Sequence, residues 1–242
     1  YQDLLNFANR NNTQLLNGIQ FYKTYAENYR TKTANRLNNG VWADFYNSAF
    51  LTDTTGVQVY HKSKLVVGVE TLPFRDIVEP LLGNVMLDFG GTVLTRATQE
   101  DREAFSLYND IKISPVICYE SVYGEFVTGY VRNGAEVLAI MTNDAWWGDT
   151  AGHKQHMAYA SLRAIETRRT VVRSANTGIS GFITPLGEVT TKLAYNTKGV
   201  LTAAVYPQSD ITIYVRYGDY IFRLGGFVAG LMLLFSFSRR KN

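Results

Sequence analysis

The sequence has few of the residues that would indicate a disulfide framework or a nucleic-acid surface. Cys118 is the only cysteine among 242 residues, so no disulfide can form within the chain. The formal net charge is only +3, and Arg239, Arg240 and Lys241 together supply that charge. The rest of the chain is balanced and has no basic face of the kind that binds nucleic acid. We therefore predict no nucleic-acid partner.

Long apolar runs are also scarce, and only one of them is long enough to cross a bilayer. Residues 220–237 carry a single charge, Arg223, and a helix of that length spans about 27 Å, close to the hydrocarbon thickness of a membrane. We predict a transmembrane helix over 220–238 and a basic cytoplasmic tail over 239–242, because a basic cluster marks the cytoplasmic end. The alternative is a C-terminal helix buried in the core.

The remainder of the chain has the pattern of an α/β domain. Apolar residues make up 46% of the chain and charged residues 19%, which excludes a disordered protein. After residue 110, short apolar runs alternate with helical patterns, and this alternation implies parallel pairing of strands. The predicted strands are 14–22, 41–51, 57–61, 111–118, 137–142, 170–174, 179–185 and 199–205. The predicted helices are 1–11, 121–132 and 155–168, and 68–102 is predicted as a long loop.

Cys118 lies at a predicted junction between a strand and a helix. A thiolate at that position is stabilised by the positive end of the helix dipole, and the N–H of Tyr119 can face an oxyanion. The competing interpretation is a buried, inert cysteine. His153 and His156 lie one helical turn apart but lack a third ligand, so we predict no metal. Lys62, Lys64, Glu70 and Glu120 are each ordinary when taken singly.

Taken together, these residues form an ordered series of motifs. They are Tyr60-His61-Lys62 followed by Leu65, Val66, Gly68 and Glu70; Ile117-Cys118-Tyr119-Glu120; and Thr142-Asn143-Asp144-Ala145-Trp146-Trp147-Gly148. Further matching segments are 155–156, 162–167, 172–173, 176–180 and 214–219. The series resembles the nitrilase superfamily, and within it the apolipoprotein N-acyltransferase family, over residues 13–237. An ordered set of motifs is far more specific than any single one.

The resemblance implies a Glu-Lys-Cys triad with Lys62 and Cys118 as catalytic residues. It makes Glu70, Tyr119 and Glu120 supporting residues, and Trp146 and Trp147 could line a substrate pocket. The triad glutamate belongs to a Pro-Glu motif that we expect upstream of Tyr1. The segment Val67-Gly68-Val69-Glu70 departs from the usual Pro-Phe-Gly-Glu. No metal or other cofactor is implied.

The resemblance also implies a fold, an activity and a location. We expect a partial nitrilase-like α-β-β-α sandwich as a catalytic domain over 1–210, with its N-terminal part missing, and a linker over 211–219. Family members move an acyl chain from a phospholipid, through a cysteine thioester, to the N-terminal amine of a diacylglyceryl lipoprotein. The expected location is the bacterial inner membrane, with the catalytic domain facing the periplasm.

Two other functions remain open from the sequence. One is an amidase, or carbon–nitrogen hydrolase, that uses the same triad with water as the acceptor. The other is an inactive domain kept as a membrane scaffold. Because the expected base and part of the sheet lie upstream, we expect residues 1–242 alone to be inactive and poorly stable.

Overall fold

The computed structural model describes residues 2–52, 56–67, 69–71 and 95–239. Most of the predicted loop over 68–102 and residues 240–242 of the predicted tail lie outside these ranges. The described residues form two β-sheets with helices around them, followed by a long C-terminal helix.

The first sheet is antiparallel and follows an N-terminal helix. Helix α1 (Gln2–Asn11) leads into β1 (Leu15–Tyr25), which pairs with β3 (Trp42–Thr52) along its whole length. β3 also pairs with the short β2 (Asn35–Arg36) and with β4 (Val57–His61). The C-terminal end of β3, from Ser48 to Thr52, is buried. Because β3 pairs with all three other strands, it is the centre of the sheet.

The second sheet has a parallel centre, as the strand-helix-strand pattern predicts. Its strands are β5 (Phe105–Ser106), β6 (Lys112–Ile117), β7 (Val137–Asn143), β8 (Thr170–Asn176), β9 (Ser180–Ile183) and β10 (Val189–Leu193). Their order in the sheet is β10-β9-β8-β7-β6-β5, and β6 to β8 are parallel neighbours. Helix α2 (Gly124–Arg132) connects β6 to β7, and α3 (Ala151–Thr167) connects β7 to β8.

One apolar core joins the two sheets and the helices that cover the second sheet. It contains Ala49 and Leu51 from β3, Val116 from β6 and Leu138 from β7, all almost fully buried. Tyr130 from α2 and Ala160 from α3 belong to the same cluster. The predicted α/β class with two layered sheets is therefore confirmed, and the ends of strands from both sheets are held close together.

Several predicted elements differ from the structure. Residues 199–205 are described but form no strand, and Val200 is 90% exposed; their apolar residues lack a neighbouring strand. The predictions missed β2 and β5, which have two residues each, and β10, a mostly exposed edge strand. The helix predicted over 121–132 begins at Gly124, because a five-residue 3₁₀ turn, Cys118–Val122, precedes it.

The C-terminal part begins with a short helix and continues as a long apolar one. Helix α4 (Ile213–Tyr217) lies within the predicted linker and docks on α2, where Arg132 Nη1 donates to the Val215 carbonyl at 3.0 Å. Helix α5 (Tyr220–Arg239) is long and apolar enough to cross a membrane, and none of its residues is buried. It is therefore not a core helix.

Candidate functional site

A cavity of about 790 Å³ opens where the two sheets meet. The first sheet contributes one wall from β1 and β3, and the carboxyl ends of β6, β7 and β8 contribute the other. Ligands of α/β proteins usually bind at this end of parallel strands. The lining includes the predicted site residues Lys62, Glu70, Cys118 and Trp146, together with Asn17, Gln20, Asn47, Ser48, Asn143, Ser174 and Asn176.

Cys118 is presented to this cavity by a strained turn. It follows the last residue of β6 and has φ 52°, a conformation that costs a non-glycine residue roughly 1–3 kcal/mol. The side chain is a free thiol that is partly exposed. The sequence predicts a junction of strand and helix at Cys118, whereas the structure has a 3₁₀ turn, Cys118–Val122, between β6 and helix α2, which begins at Gly124. A backbone conformation held by its surroundings therefore sets the direction of Cys118.

Lys62 forms a buried ion pair with Glu70 beside the thiol-bearing turn. The Lys62 side chain is 1% exposed, and Nζ lies 2.9 and 2.7 Å from the two carboxylate oxygens of Glu70. Asn47 Nδ2 also donates to Glu70, and the N–H of Val66 donates to it at 2.7 Å. A buried ammonium group needs such a partner, so Glu70 fixes the position of Lys62. The neighbouring Lys64 is exposed, with Nζ 4.8 Å from the ring centre of Tyr123.

Glu120 lies behind the cavity and joins its two walls. It is fully buried, and its carboxylate accepts hydrogen bonds from five groups. The donors are the N–H groups of Ser63 at 2.7 Å, Lys64 at 3.2 Å and Ile117 at 2.8 Å, and the hydroxyls of Tyr60 and Tyr130, both at 2.8 Å. Burial raises the pKa of Glu120, and these hydrogen bonds oppose that effect. Glu120 thus ties the loop that carries Lys62 to the turn that carries Cys118.

The three predicted aromatic residues occupy different positions. Trp146 lines the cavity, is 48% exposed, and donates from Nε1 to the Asn143 carbonyl at 2.8 Å. Trp147 is not among the described residues that line the cavity; its ring lies 5.4 Å from the ring of His156. The Tyr119 ring packs edge-on against Tyr123 at 5.4 Å. Their roles in substrate binding stay predictions.

Three buried residues form a network that the sequence reasoning did not assign. His156 Nδ1 lies 2.9 Å from Asp144 Oδ1, and Arg173 Nη2 donates to Asp144 Oδ2 at 2.8 Å. Burial alone would raise the pKa of Asp144, but the hydrogen bonds from His156 and Arg173 hold it at about 2. Asp144 and Arg173 both lie in segments that match the family in sequence. Those matches could have identified them as residues of the site.

The two histidines do not form a metal site in the part of the chain that the structure describes, where no group of three or more potential ligands occurs. His153 Nδ1 lies 3.2 Å from the Gly148 carbonyl, and its ring packs 4.4 Å from that of Tyr195. His156 faces Asp144 and the turn at Cys118 instead. Helical spacing placed both on one side of α3, but each binds different partners.

Comparison with known proteins identifies the family of the chain. Residues 4–210 match the family model for carbon–nitrogen hydrolase. A relative named apolipoprotein N-acyltransferase, from Chlorobaculum tepidum, is 32% identical over 204 residues, which cover 81% of this chain and 38% of that relative. Another of that name, from Rhizobium meliloti, is 38% identical over 160 residues, which cover 65% and 29%. The chain thus spans well under half the length of these curated relatives.

A solved structure shows the same fold. An amidase from Nesterenkonia sp. superposes with a TM-score of 0.56 and 14% sequence identity, over 93% of this chain and 71% of the amidase. This likeness confirms the predicted nitrilase-like fold. Because the family model also matches most of its length, the chain belongs to the carbon–nitrogen hydrolase family.

Proposed function

We propose that this chain carries the catalytic machinery of an N-acyltransferase. The acyl donor is a phospholipid, and the acceptor is the N-terminal amine of a diacylglyceryl-cysteine lipoprotein. The observation that carries the proposal is that Cys118 and the Lys62–Glu70 pair line the same cavity. The relatives named apolipoprotein N-acyltransferase support this choice of acceptor.

The geometry suits a two-step transfer through a thioester. In the first step the Cys118 thiol gives its proton to a base, and Sγ attacks the ester carbonyl carbon. The carbon–oxygen bond breaks, and the lysophospholipid leaves as an alcohol after taking up a proton. In the second step the acceptor amine attacks the thioester, loses a proton, and the thiolate leaves. The products are an amide and the free enzyme.

Lys62 has the role of stabilising the tetrahedral intermediate of each step. A fixed ammonium group at the cavity surface stabilises a developing oxyanion more strongly than a mobile one, because it needs no reorganisation. Glu70 and Asn47 supply that fixation. The Tyr119 N–H is the second proposed oxyanion donor, since it belongs to the peptide that follows Cys118.

The proposed reaction also needs a base that accepts the proton of the Cys118 thiol. Among the described residues that line the cavity, Glu70 is the only carboxylate, and both of its oxygens accept hydrogen bonds from Lys62. Glu70 is therefore a poor base. We assign the base to the glutamate of the family's Pro-Glu motif.

The proposed location is the bacterial inner membrane, with the two sheets on the periplasmic side. Helix α5 is long enough to cross the bilayer, and Arg239, Arg240 and Lys241 mark its cytoplasmic end. Both substrates carry acyl chains, so a cavity tethered close to the membrane can receive them. The exposed indole of Trp146 adds an apolar surface to that cavity.

The test is covalent labelling of the protein that carries this chain, purified in detergent. A phospholipid with a fluorescent acyl chain should label the wild type through a hydroxylamine-sensitive thioester and should pass the label to a diacylglyceryl peptide. Cys118→Ala should lose both reactions by about 10³-fold or more and should unfold at an unchanged temperature, because only a small group is removed.

The same assay separates the alternatives. Labelling by small amides, with hydrolysis and no transfer from phospholipid, would establish the amidase. An absence of covalent labelling by any ester or amide would leave the scaffold function and overturn the proposal.

A further inference from the structure

The backbone carbonyl of Cys118 is bound by a buried polar network. Ser121 Oγ donates to it at 2.8 Å, and His156 Nε2 lies 3.3 Å from the same oxygen and 2.9 Å from Ser121 Oγ. Ser121 is fully buried, and His156 is 1% exposed. Cys118 thus lines the cavity while its carbonyl is held by this buried network.

The peptide bond between Cys118 and Tyr119 carries the effect of this network to the proposed site. A peptide unit is planar, and in the trans form its C=O and N–H point in opposite directions. Holding the Cys118 carbonyl therefore also holds the direction of the Tyr119 N–H. The left-handed φ of Cys118 needs such external contacts, because an L residue does not favour it.

We propose that His156 is a positioning residue that orients the Tyr119 N–H as an oxyanion donor by binding the Cys118 carbonyl together with Ser121. This inference rests on the proposed function, because it assumes that Cys118 is acylated through a tetrahedral intermediate. His156 does not touch the substrate. It acts through the backbone of the nucleophile.

The groups around His156 hold its ring in one orientation. Asp144 binds Nδ1, Thr142 Oγ1 donates to the same Asp144 oxygen at 2.9 Å, and Arg173 binds the other oxygen. Arg173 also donates to the Ile179 carbonyl, and the Trp147 ring packs on the imidazole. Asp144 belongs to the turn that carries the cavity residue Trp146, so the network joins that turn to the turn at Cys118.

Two amide variants test the contributions of the two nitrogen atoms of the His156 ring separately. In His156→Asn the amide lies near the Nδ1 position and can still bind Asp144, but it cannot reach Ser121 or the Cys118 carbonyl. In His156→Gln the amide lies near the Nε2 position and can bind Ser121 and that carbonyl. His153 is equally buried on the same helix and does not contact the Cys118 turn, so His153→Asn and His153→Gln are the matched controls.

The readout compares two reactions of the same thiol in the full protein. Acylation by p-nitrophenyl butyrate builds an oxyanion, whereas alkylation by iodoacetamide does not. We expect His156→Asn to slow acylation about 10- to 100-fold and to change alkylation by less than about 3-fold. His156→Gln should restore most of the acylation rate, and both His153 variants should resemble the wild type.

Two results would overturn the proposal. In one, His156→Asn slows acylation and alkylation by the same factor, as a purely structural role requires. In the other, His156→Gln acylates no faster than His156→Asn. Failure of the proposed function would appear separately, as a wild type that reacts with the small ester but not with phospholipid, and the comparison of variants would still decide the role of His156.

Discussion

At the scale of single residues, two glutamates close to the cavity have different surroundings. Glu70 faces the cavity and forms an ion pair with Lys62. Glu120 is fully buried and binds three backbone N–H groups and two tyrosine hydroxyls. The first therefore holds the charged group proposed to act on the intermediate, and the second holds the two loops together.

Lys62 provides a residue-scale prediction. Lys62→Arg keeps the charge but replaces a compact ammonium with a planar guanidinium, so the donor is displaced from the oxyanion. We expect Cys118 acylation to fall by about 10²-fold or more, measured as the rate of thioester formation. The control is Lys64→Arg, which alters an exposed side chain and should stay within about 2-fold of the wild type. Equal losses at both positions would show that Lys62 has no special role.

Asp144 predicts an acid-dependent loss of stability. The pKa of Asp144 in the folded state, about 2, is below its ordinary value of 3.8. Its contribution to the free energy of unfolding is therefore fully present above the ordinary pKa and is lost as the pH falls through about 2. The contribution is roughly 2 kcal/mol. Denaturant unfolding between about pH 5 and pH 2 should therefore show a flatter pH dependence for Asp144→Asn than for the wild type.

The titration of Glu120 does not affect the comparison of the wild type with Asp144→Asn. Burial raises its pKa, so its contribution has the opposite sign: it is present at low pH and is lost as the pH rises through the folded-state pKa. The wild type and Asp144→Asn share this contribution, and the difference between them isolates Asp144. Parallel stability curves for the two proteins would contradict the assignment.

At the scale of elements, α5 differs from the other α-helices that the structure describes because none of its residues is buried. Its first turn is nevertheless tied to the domain. Arg223 pairs with Glu125 of α2 and donates to the Tyr217 carbonyl at 3.0 Å. The helix therefore leaves the domain from a defined point, next to the docked helix α4.

Helix α5, with the basic residues at its end, predicts the orientation of the protein in the membrane. If residues 1–210 face the periplasm, protease added to intact spheroplasts should cleave that region and spare a tag placed after residue 242. Lysed spheroplasts are the control, in which the tag should also be removed. Cleavage of the tag alone in intact spheroplasts would reverse the orientation.

At the scale of the whole molecule, the cavity exists only because both sheets share one core. Asn17 and Asn47 come from the first sheet, and Cys118 and Ser174 come from the second. Cys118 follows strand β6 of the second sheet, and Lys62 follows strand β4 of the first sheet. Glu120 binds the residue next to each of them and so joins the two segments. One cavity therefore has to serve both halves of the proposed transfer.

A shared cavity predicts ping-pong kinetics. The lysophospholipid must leave before the acceptor amine enters, so double-reciprocal plots at several acceptor concentrations should be parallel. Without acceptor, the enzyme should release about one equivalent of lysophospholipid and then slow down. Intersecting lines, with no such burst, would indicate a ternary complex and direct transfer without a thioester.

The sequence by itself determined the local elements. The strand predicted over 57–61 matches β4, and the predicted strands 137–142 and 170–174 lie within β7 and β8. The apolar run at the C-terminus determined a helix in the same way. The strands were predictable because burial imposes an apolar pattern that short stretches of sequence record, and the C-terminal helix was predictable from the length of its apolar run. The motifs around Lys62 and Cys118 were equally local, and they indicated the family.

Only the tertiary structure decided which polar groups meet. The partners of Glu120 come from residues 60–64, 117 and 130, and those of His156 come from residues 118, 121, 144 and 173. No periodicity records such pairs, because each depends on how strands pack across the core. The same reason explains residues 199–205, whose composition suits a strand but which have no strand to pair with. A strand needs a neighbour, and the fold alone supplies it.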